Sequence, residues 1–401
     1  MSVAKKDFNK SEEQQMKALF YNSNKIKEDN IIWGLIEVGI DVVRSELFVE
    51  LDIIDSAQVE MIASEVRDYD FVITRDFSVN VAEGCHITGI SYIAWAYDSP
   101  LKALYCKEAM YDTNYIFVFD KQHLARLKEM DIPHVYYQPL VANVTRAMQV
   151  TITDEDIRQY EREISFVGSM YDKHYFEAFR KRLTEKQVFE CEKLFDRHLC
   201  NWNGNDSVFD ELSEKTIQAL YMQMSKKNRN LYSMSDRYIT ELLVLVTELT
   251  SRERSIFLKD ISHRYDVVVN TYEPERFSDI TSVRWEPPVE WDSDDLYRIY
   301  ASAKININLT MRSIETGLPQ RIYDIMSVGG CVFTNYQSEA EELFEQNREI
   351  VTFKSTDEFK EKADYYLKHD KERLELGARA YLKVRDKYNY PNAIRFMISK
   401  L

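Results

Sequence analysis

The sequence predicts an α/β protein in two halves, each a parallel sheet with helices on both faces. Three observations carry this. Short continuous apolar runs such as Phe71-Val72-Ile73-Thr74 recur between helical stretches, as expected of strands covered on both faces. Strands alternating with helices imply βαβ units and parallel pairing. The pattern also stops near residue 150 and restarts at Ile164, in a chain of 401 residues that exceeds what one core usually holds. The expected division is a first domain over residues 1–150 and a second over 160–385, followed by a terminal segment, 386–401.

In chain order, the first fifteen or so residues are polar and read as loose. Lys17 to Tyr21 reads as a strand, Asn22 to Asn30 as a loop, and Ile31 to Val38 as a helix ended by Gly39. Asp41 to Arg44 is a second strand, Ala57 to Arg67 a second helix, and Phe71 to Thr74 a third strand. Ile90–Trp95, Tyr115–Phe119 and His134–Tyr137 repeat the strand character. In the second half the strands are Ile164–Gly168, Tyr265–Thr271, Val283–Trp285, Ile305–Leu309, Cys331–Thr334 and Ile350–Phe353. Between about 173 and 262, charged and apolar residues at helical spacing predict an insertion of several helices. Pro391 to Leu401 reads as a short amphipathic helix.

Composition excludes some functions. With 67 acidic against 52 basic residues, net charge −15, the chain lacks the basic balance of a nonspecific nucleic-acid binder. Five scattered cysteines without a C-x-x-C point to reduced thiols, and with histidine equally dispersed no zinc site is expected. The first residues have no apolar core of a signal peptide, and the most apolar helical run, Leu242 to Leu249, is too short to span a bilayer. The expected location is cytoplasmic, with no integral membrane segment.

The densest signal runs from Ala303 to Gln337, AKININLTMRSIETGLPQRIYDIMSVGGCVFTNYQ. It places three of the chain's ten glycines, Gly317, Gly329 and Gly330, in a strand, basic loop, helix start and following strand. Arg312 and Arg321 flank the Gly-Leu-Pro turn, and a guanidinium fork pairs bidentately with phosphate oxygens. Asp324 follows one turn later. Together these residues predict a socket for a phosphorylated ligand with sugar hydroxyls.

The order S-I-x-x-G-L-P-x-R-I-Y-D-I-M-S-V-G-G followed by V-F-T-N-Y-Q resembles the nucleotide-binding half of GT-B glycosyltransferases, in particular the spore-maturation-protein-like (CgeB-type) branch of glycosyltransferase group 1. Upstream, Tyr92 to Pro100 resembles the Y-x-x-W-x-x-D-S-P segment of the N-terminal domain found with that branch. Ile164 to Ser169 resembles the first strand and turn of the donor-binding domain. The resemblance implies two Rossmann-like domains facing each other across a cleft. It assigns the acceptor to the first domain and a nucleotide-sugar donor to the second, and it sends the terminal helix back onto the first domain. It also implies that Asp324 binds ribose hydroxyls, as the second glutamate of the family's E-x7-E motif does. The register departs from the family at the first glutamate: Thr316 stands eight positions before Asp324 and Glu315 nine.

The expected donor site therefore comprises Gly168, Ser169, Arg312, Glu315, Arg321, Asp324, Asn335 and Tyr336. Gly168 and Ser169 end a strand where backbone N–H groups can approach phosphate. Asn335 and Tyr336 lie at a strand's carboxyl end, where α/β sheets bind ligands. Asp98 is the first candidate for the catalytic base, or else the cap of a following helix; His86 is the second. Asp292-Ser293-Asp294 spells D-x-D, but its position before the apolar-periodic helix Leu296–Ala301 reads as a helix cap, so no metal is expected. The leading function is sugar transfer from a nucleoside diphosphate to the hydroxyl or amine of a glycan, protein or small-molecule acceptor, without a further cofactor. The alternative is a noncatalytic GT-B-like partner subunit that binds nucleotide or glycan. An NAD-dependent oxidoreductase is disfavoured because no G-x-G-x-x-G follows a strand.

Overall fold

The computed structural model describes residues 15–23, 29–171, 175–203, 208–224 and 234–401. The expectations for the N-terminal fourteen residues, for 24–28 and for 172–174, 204–207 and 225–233 of the helical stretch lie outside the described residues. The first sheet has strands β1 (Lys17–Ser23), β2 (Asp41–Val49), β3 (Phe71–Arg75), β4 (Ser91–Trp95), β5 (Asn114–Val118) and β6 (Val135–Tyr137), in the order β2-β1-β3-β4-β5-β6. The second has β7 (Arg162–Val167), β8 (Val267–Asn270), β9 (Arg284–Glu286), β10 (Ala303–Asn308), β11 (Val332–Asn335) and β12 (Val351–Phe353), in the order β12-β11-β10-β7-β8-β9. Every pairing is parallel. The two-sheet α/β architecture is the one the apolar runs predict. The order reverses between β7 and β10, and such a switch point is where open α/β sheets leave a crevice for ligand.

The described part of the stretch before β8 consists of helices joined by short turns and bends. It includes Glu185–His198, Glu214–Tyr221 and a run from Asp236 to Ser262 interrupted by a π-helical turn at Glu241–Val246. Its apolar face does not pack only on its own sheet. Phe176, Phe195 and Leu245 share one core with Leu104, Tyr105 and Ala109 of the first half. The final helix (Tyr390–Ile398) starts at Asn389, whose side chain accepts the Asn392 N–H, and it lies on the first helix (Asn30–Glu37). Tyr390 meets Trp95 edge-on at 5.5 Å, and its hydroxyl is 3.0 Å from that of Tyr97.

The two sheets approach with their carboxyl edges turned toward each other. Gly317, after β10, lies against Phe119 and Asp120, after β5; a Cβ at this position would be 2.7 Å from the Phe119 carbonyl oxygen and 3.1 Å from the Asp120 Cα. Backbone has to move to admit even a methyl group there. Gly317→Ala is expected to destabilise the protein by about 1–3 kcal/mol, the usual cost of overpacking, measured as a lower denaturation midpoint. An unchanged midpoint would mean that the sheet edges are not held this closely.

Candidate active site

At the switch point the chain after β7 turns at Gly168, whose N–H donates to the Asn270 carbonyl at 3.0 Å. The space a Cβ would need is occupied by Arg321: its Nη2 would lie 2.4 Å away and its Cζ 3.2 Å. Arg321 is the second residue of the helix Gln320–Ser327. It donates through Nη1 to Asn308 Oδ1 at 2.8 Å and lies 5.3 Å from the centre of the Phe166 ring. Gly168 and Arg321, 153 positions apart in sequence, are thus in direct contact.

A second arginine shares this place. Arg254, on the helix Thr247–Ser262, is 3% exposed and donates to the carbonyls of Ser169 and Leu309, the residues that follow β7 and β10. Its guanidinium lies 5.3 Å from the Phe166 ring centre and 4.9 Å from that of Tyr171. Its Nε is buried without a hydrogen-bond partner. Burial, with Arg321 beside it as a smaller contribution, lowers its pKa to about 10. Neither arginine forms an ion pair with a carboxylate among the described residues, while Arg126, Arg237, Arg252 and Arg312 all do. Two neighbouring cations without a carboxylate counter-ion among the described residues have the chemistry to hold an anion.

Arg312 is used differently from the expectation. Its guanidinium bonds Glu253 and the carbonyls of His198 and Asn201, at 2.8 Å and 2.9 Å for the two carbonyls. Those contacts consume its donors and tie the helical insertion to the loop after β10. Glu315 points away from the socket and pairs with Arg126 of the first domain. Asn335 is buried, with Oδ1 accepting the Thr310 N–H at 2.6 Å. Tyr336 lies under Lys354, 4.3 Å from Nζ to ring centre, two strands away from β7. Ser169 contributes its carbonyl to Arg254, and its hydroxyl accepts the Tyr171 N–H at 3.1 Å.

Asp324 is 6% exposed and accepts from Gln320 Nε2 at 2.7 Å and from the Trp291 indole. Burial raises its pKa to about 7, with Asp292 nearby adding to the rise. The D-x-D begins a helix: Ser293 is the N-cap and accepts the Leu296 N–H, and Asp294 and Asp295 occupy the first turn. Asp292 precedes the cap, accepts from the Tyr297 hydroxyl at 2.7 Å and faces Arg146, which also bonds Asp294.

Across from the socket, a cleft of about 550 Å³ separates the domains. Leu51, Asp98 and Leu101 line it on one side; Tyr171, Leu243 and Met311 line it on the other. Asp98 is exposed in this cleft. It does not cap a helix: the next helical turn is the short 3₁₀ segment Lys102–Leu104, whose N-cap is Leu101. His86 lies elsewhere. It sits in the last turn of the helix Val79–Thr88, stacked on Tyr111 at 3.9 Å. A helix between parallel strands runs antiparallel to them, so its last turn lies at the amino edge of the sheet, opposite Asp98. The sequence reading missed Arg254, Tyr171 and Trp291. The available signal for Arg254 was its place on the buried face of its helix with Phe257, Leu258 and Ile261, where an arginine needs a reason.

Comparison with known proteins agrees with this architecture. Residues 252–399 match a family model described as glycosyl transferase-like. Among solved structures, a glycosyltransferase from Rickettsia africae superposes with a TM-score of 0.56 at 12% identity, covering 96% of this chain and 97% of that one. The Anabaena protein HepE, solved with UDP and glucose, gives 0.51 at 10% identity, covering 96% and 100%. Comparison with curated protein sequences finds no match. These likenesses establish the GT-B fold, with its two Rossmann-like domains. No helix among the described residues is long and apolar enough to cross a membrane.

The buried Asp324 has a consequence for pH. Because its folded pKa is raised, the native state holds a proton that the unfolded chain releases above the ordinary carboxylate range. The stability from this group is complete below about pH 4 and is lost as pH rises through 7. Asp324→Asn is therefore expected to melt near the wild type at pH 4 and above it at pH 8, the gap growing by up to about 1.4 kcal/mol per pH unit. Melting curves that stay parallel across this range would contradict the assignment.

Proposed function

We propose that this protein is a glycosyltransferase that moves a sugar from a nucleoside diphosphate to an acceptor bound in the interdomain cleft. One observation carries the reading: Arg254 and Arg321 lie side by side at the switch point of the second sheet without a carboxylate partner among the described residues, in a protein of net charge −15. A diphosphate supplies the missing negative charge, and the two guanidinium groups stabilise it as it leaves. The glycine at 168 leaves room for the Arg321 guanidinium against the backbone that ends β7. The ribose hydroxyls are assigned to Asp324, one turn along the Arg321 helix, on the strength of the sequence motif. The acceptor hydroxyl attacks the anomeric carbon from the side of the first domain. If configuration inverts, Asp98 takes the proton of that hydroxyl; if it is retained, Asp98 orients the acceptor.

HepE and the Rickettsia glycosyltransferase support the reading through their shared fold, and HepE through its bound UDP. The placement in the CgeB-type branch, a hexosyl donor and a cytoplasmic location rest on the sequence motifs and composition. Metal independence is part of the proposal. Asp292 and Asp294 are engaged by Arg146 and the helix start, so the arginines carry the diphosphate's charge and EDTA leaves turnover unchanged. Loss of activity in EDTA with recovery in manganese counts against that point. The commitment of Glu315 to Arg126 favours a second reading, a noncatalytic nucleotide-binding subunit. Release of free sugar from a panel of nucleotide sugars decides between the two.

Calorimetry with nucleoside diphosphates tests the socket. Arg254→Ala and Arg321→Ala are each expected to weaken binding by roughly tenfold to a hundredfold, the equivalent of a charge-assisted hydrogen bond of about 1.5–3 kcal/mol. Arg312→Ala instead lowers the melting temperature, because Glu253 is left buried and unpaired, and spares the affinity. Equal affinities for all three variants would remove the socket from its proposed place.

Asp98→Asn is expected to lower turnover at least tenfold while nucleotide affinity stays at the wild-type value. A variant with wild-type turnover excludes Asp98 from both roles.

A further inference from the structure

We propose that Asp120 is a positioning residue for transfer: it fixes the acceptor-side turn that carries Asp98 against the donor-side loop that leads into the Arg321 helix. The inference rests on the glycosyltransferase reading above and assigns a role to a residue outside the cleft.

Asp120 follows β5 and is 1% exposed. Its two oxygens receive hydrogen bonds from three directions. Oδ1 accepts the Gln122 and His123 N–H groups, at 2.9 Å and 3.4 Å, as the N-cap of the helix Lys121–Glu129. Oδ2 accepts the Ser99 hydroxyl at 2.9 Å, next in sequence to Asp98. From the other domain, the Glu315 N–H reaches Oδ2 at 2.9 Å and the Thr316 hydroxyl reaches Oδ1 at 2.7 Å. One carboxylate thus joins a helix start, the Asp98 turn and the loop between β10 and Arg321.

The surroundings reinforce the join. Thr316 Oγ1 is also 2.8 Å from Glu339, which accepts the Lys121 N–H at 2.9 Å and the Tyr137 hydroxyl at 2.5 Å. A threonine hydroxyl has one proton, so it donates to one carboxylate and accepts from the other when that one is protonated. Burial raises the pKa of Glu339, which favours that arrangement. Gly317 then brings the donor loop into backbone contact with Phe119 and Asp120. Asp98 and Arg321 belong to different domains, and this join fixes their spacing. Misplacing reacting groups by about 1 Å costs up to a hundredfold in rate.

Asp120→Asn separates the roles. Asparagine caps a helix as well as aspartate does, so its carbonyl keeps the Oδ1 contacts. Its amide replaces Oδ2 and faces two donors, Ser99 and Glu315. The expected result is a fall of about tenfold or more in the ratio of sugar transfer to donor hydrolysis, with a raised acceptor KM and nucleotide affinity within about threefold of wild type. Ser99→Ala removes a single bond and shifts the ratio in the same direction, which keeps the test open if Asp120→Asn fails to fold. A lowered melting temperature with an unchanged transfer-to-hydrolysis ratio in the folded variants would overturn the proposal and leave Asp120 a structural residue. Wild-type protein that neither binds nor hydrolyses any nucleotide sugar would overturn the glycosyltransferase reading, and this inference with it.

Discussion

The second half of this protein is organised around Arg254. A buried guanidinium without a carboxylate is unfavourable, and the helix Thr247–Ser262 tolerates it because two carbonyls and two aromatic rings surround it. Those carbonyls, of Ser169 and Leu309, follow the two strands on either side of the sheet's switch point. Arg254 therefore holds both loops of the crevice from behind, while Arg321 closes against Gly168 from the helix in front. Phe166 lies about equally far from both cations, 5.3 Å to its ring centre in each case. The aromatic ring partly compensates the repulsion between them.

Much of the fold was legible because a parallel sheet buries both faces of its strands. Runs such as Phe71–Thr74 and Tyr115–Phe119 have no polar alternation to confuse them. The apolar pattern predicts a second strand that ends at Arg44, whereas β2 continues to Val49. It lies at the edge of its sheet, where Glu46 and Phe48 are exposed and the apolar signal fades. The helical insertion was visible as composition, but its packing partner was not. Nothing in the spacing of Phe176, Phe195 or Tyr238 says that their neighbours are Tyr105 and Leu104 of the other half.

The site divides along the same line. Arg321 and Asp324 sit near one another on one helix beside a motif, so local sequence was enough to nominate them. Arg312 has the same local context and was nominated with them, yet Glu253, 59 residues away, takes its charge. An arginine's chemistry is visible in a sequence; whether a carboxylate already satisfies it is a tertiary fact. Arg254 shows the converse, since its neighbours Glu253 and Arg252 make it look like one more residue of a charged helix surface. Asp120 was invisible for a similar reason: four of its five hydrogen bonds lie within three residues or cross to another domain, and none forms a recognisable spacing.

The insertion and the interdomain contacts form one circuit. Tyr238 and Phe209 of the insertion lie 5.2 Å and 5.4 Å from the Arg126 guanidinium. Arg126 holds Glu315, whose backbone N–H is bound by Asp120. The second domain thus reaches over the first with its inserted helices, and the residue they surround grips the second domain's own loop. The π-helical turn Glu241–Val246 lies between these contacts and the cleft and presents Leu242 and Leu243 to it. An insertion serving only to cover a sheet would have no need to reach Arg126. Its course explains how the loop after β10 is held: Glu315 is anchored by a contact between domains, through its side chain to Arg126 and through its N–H to Asp120.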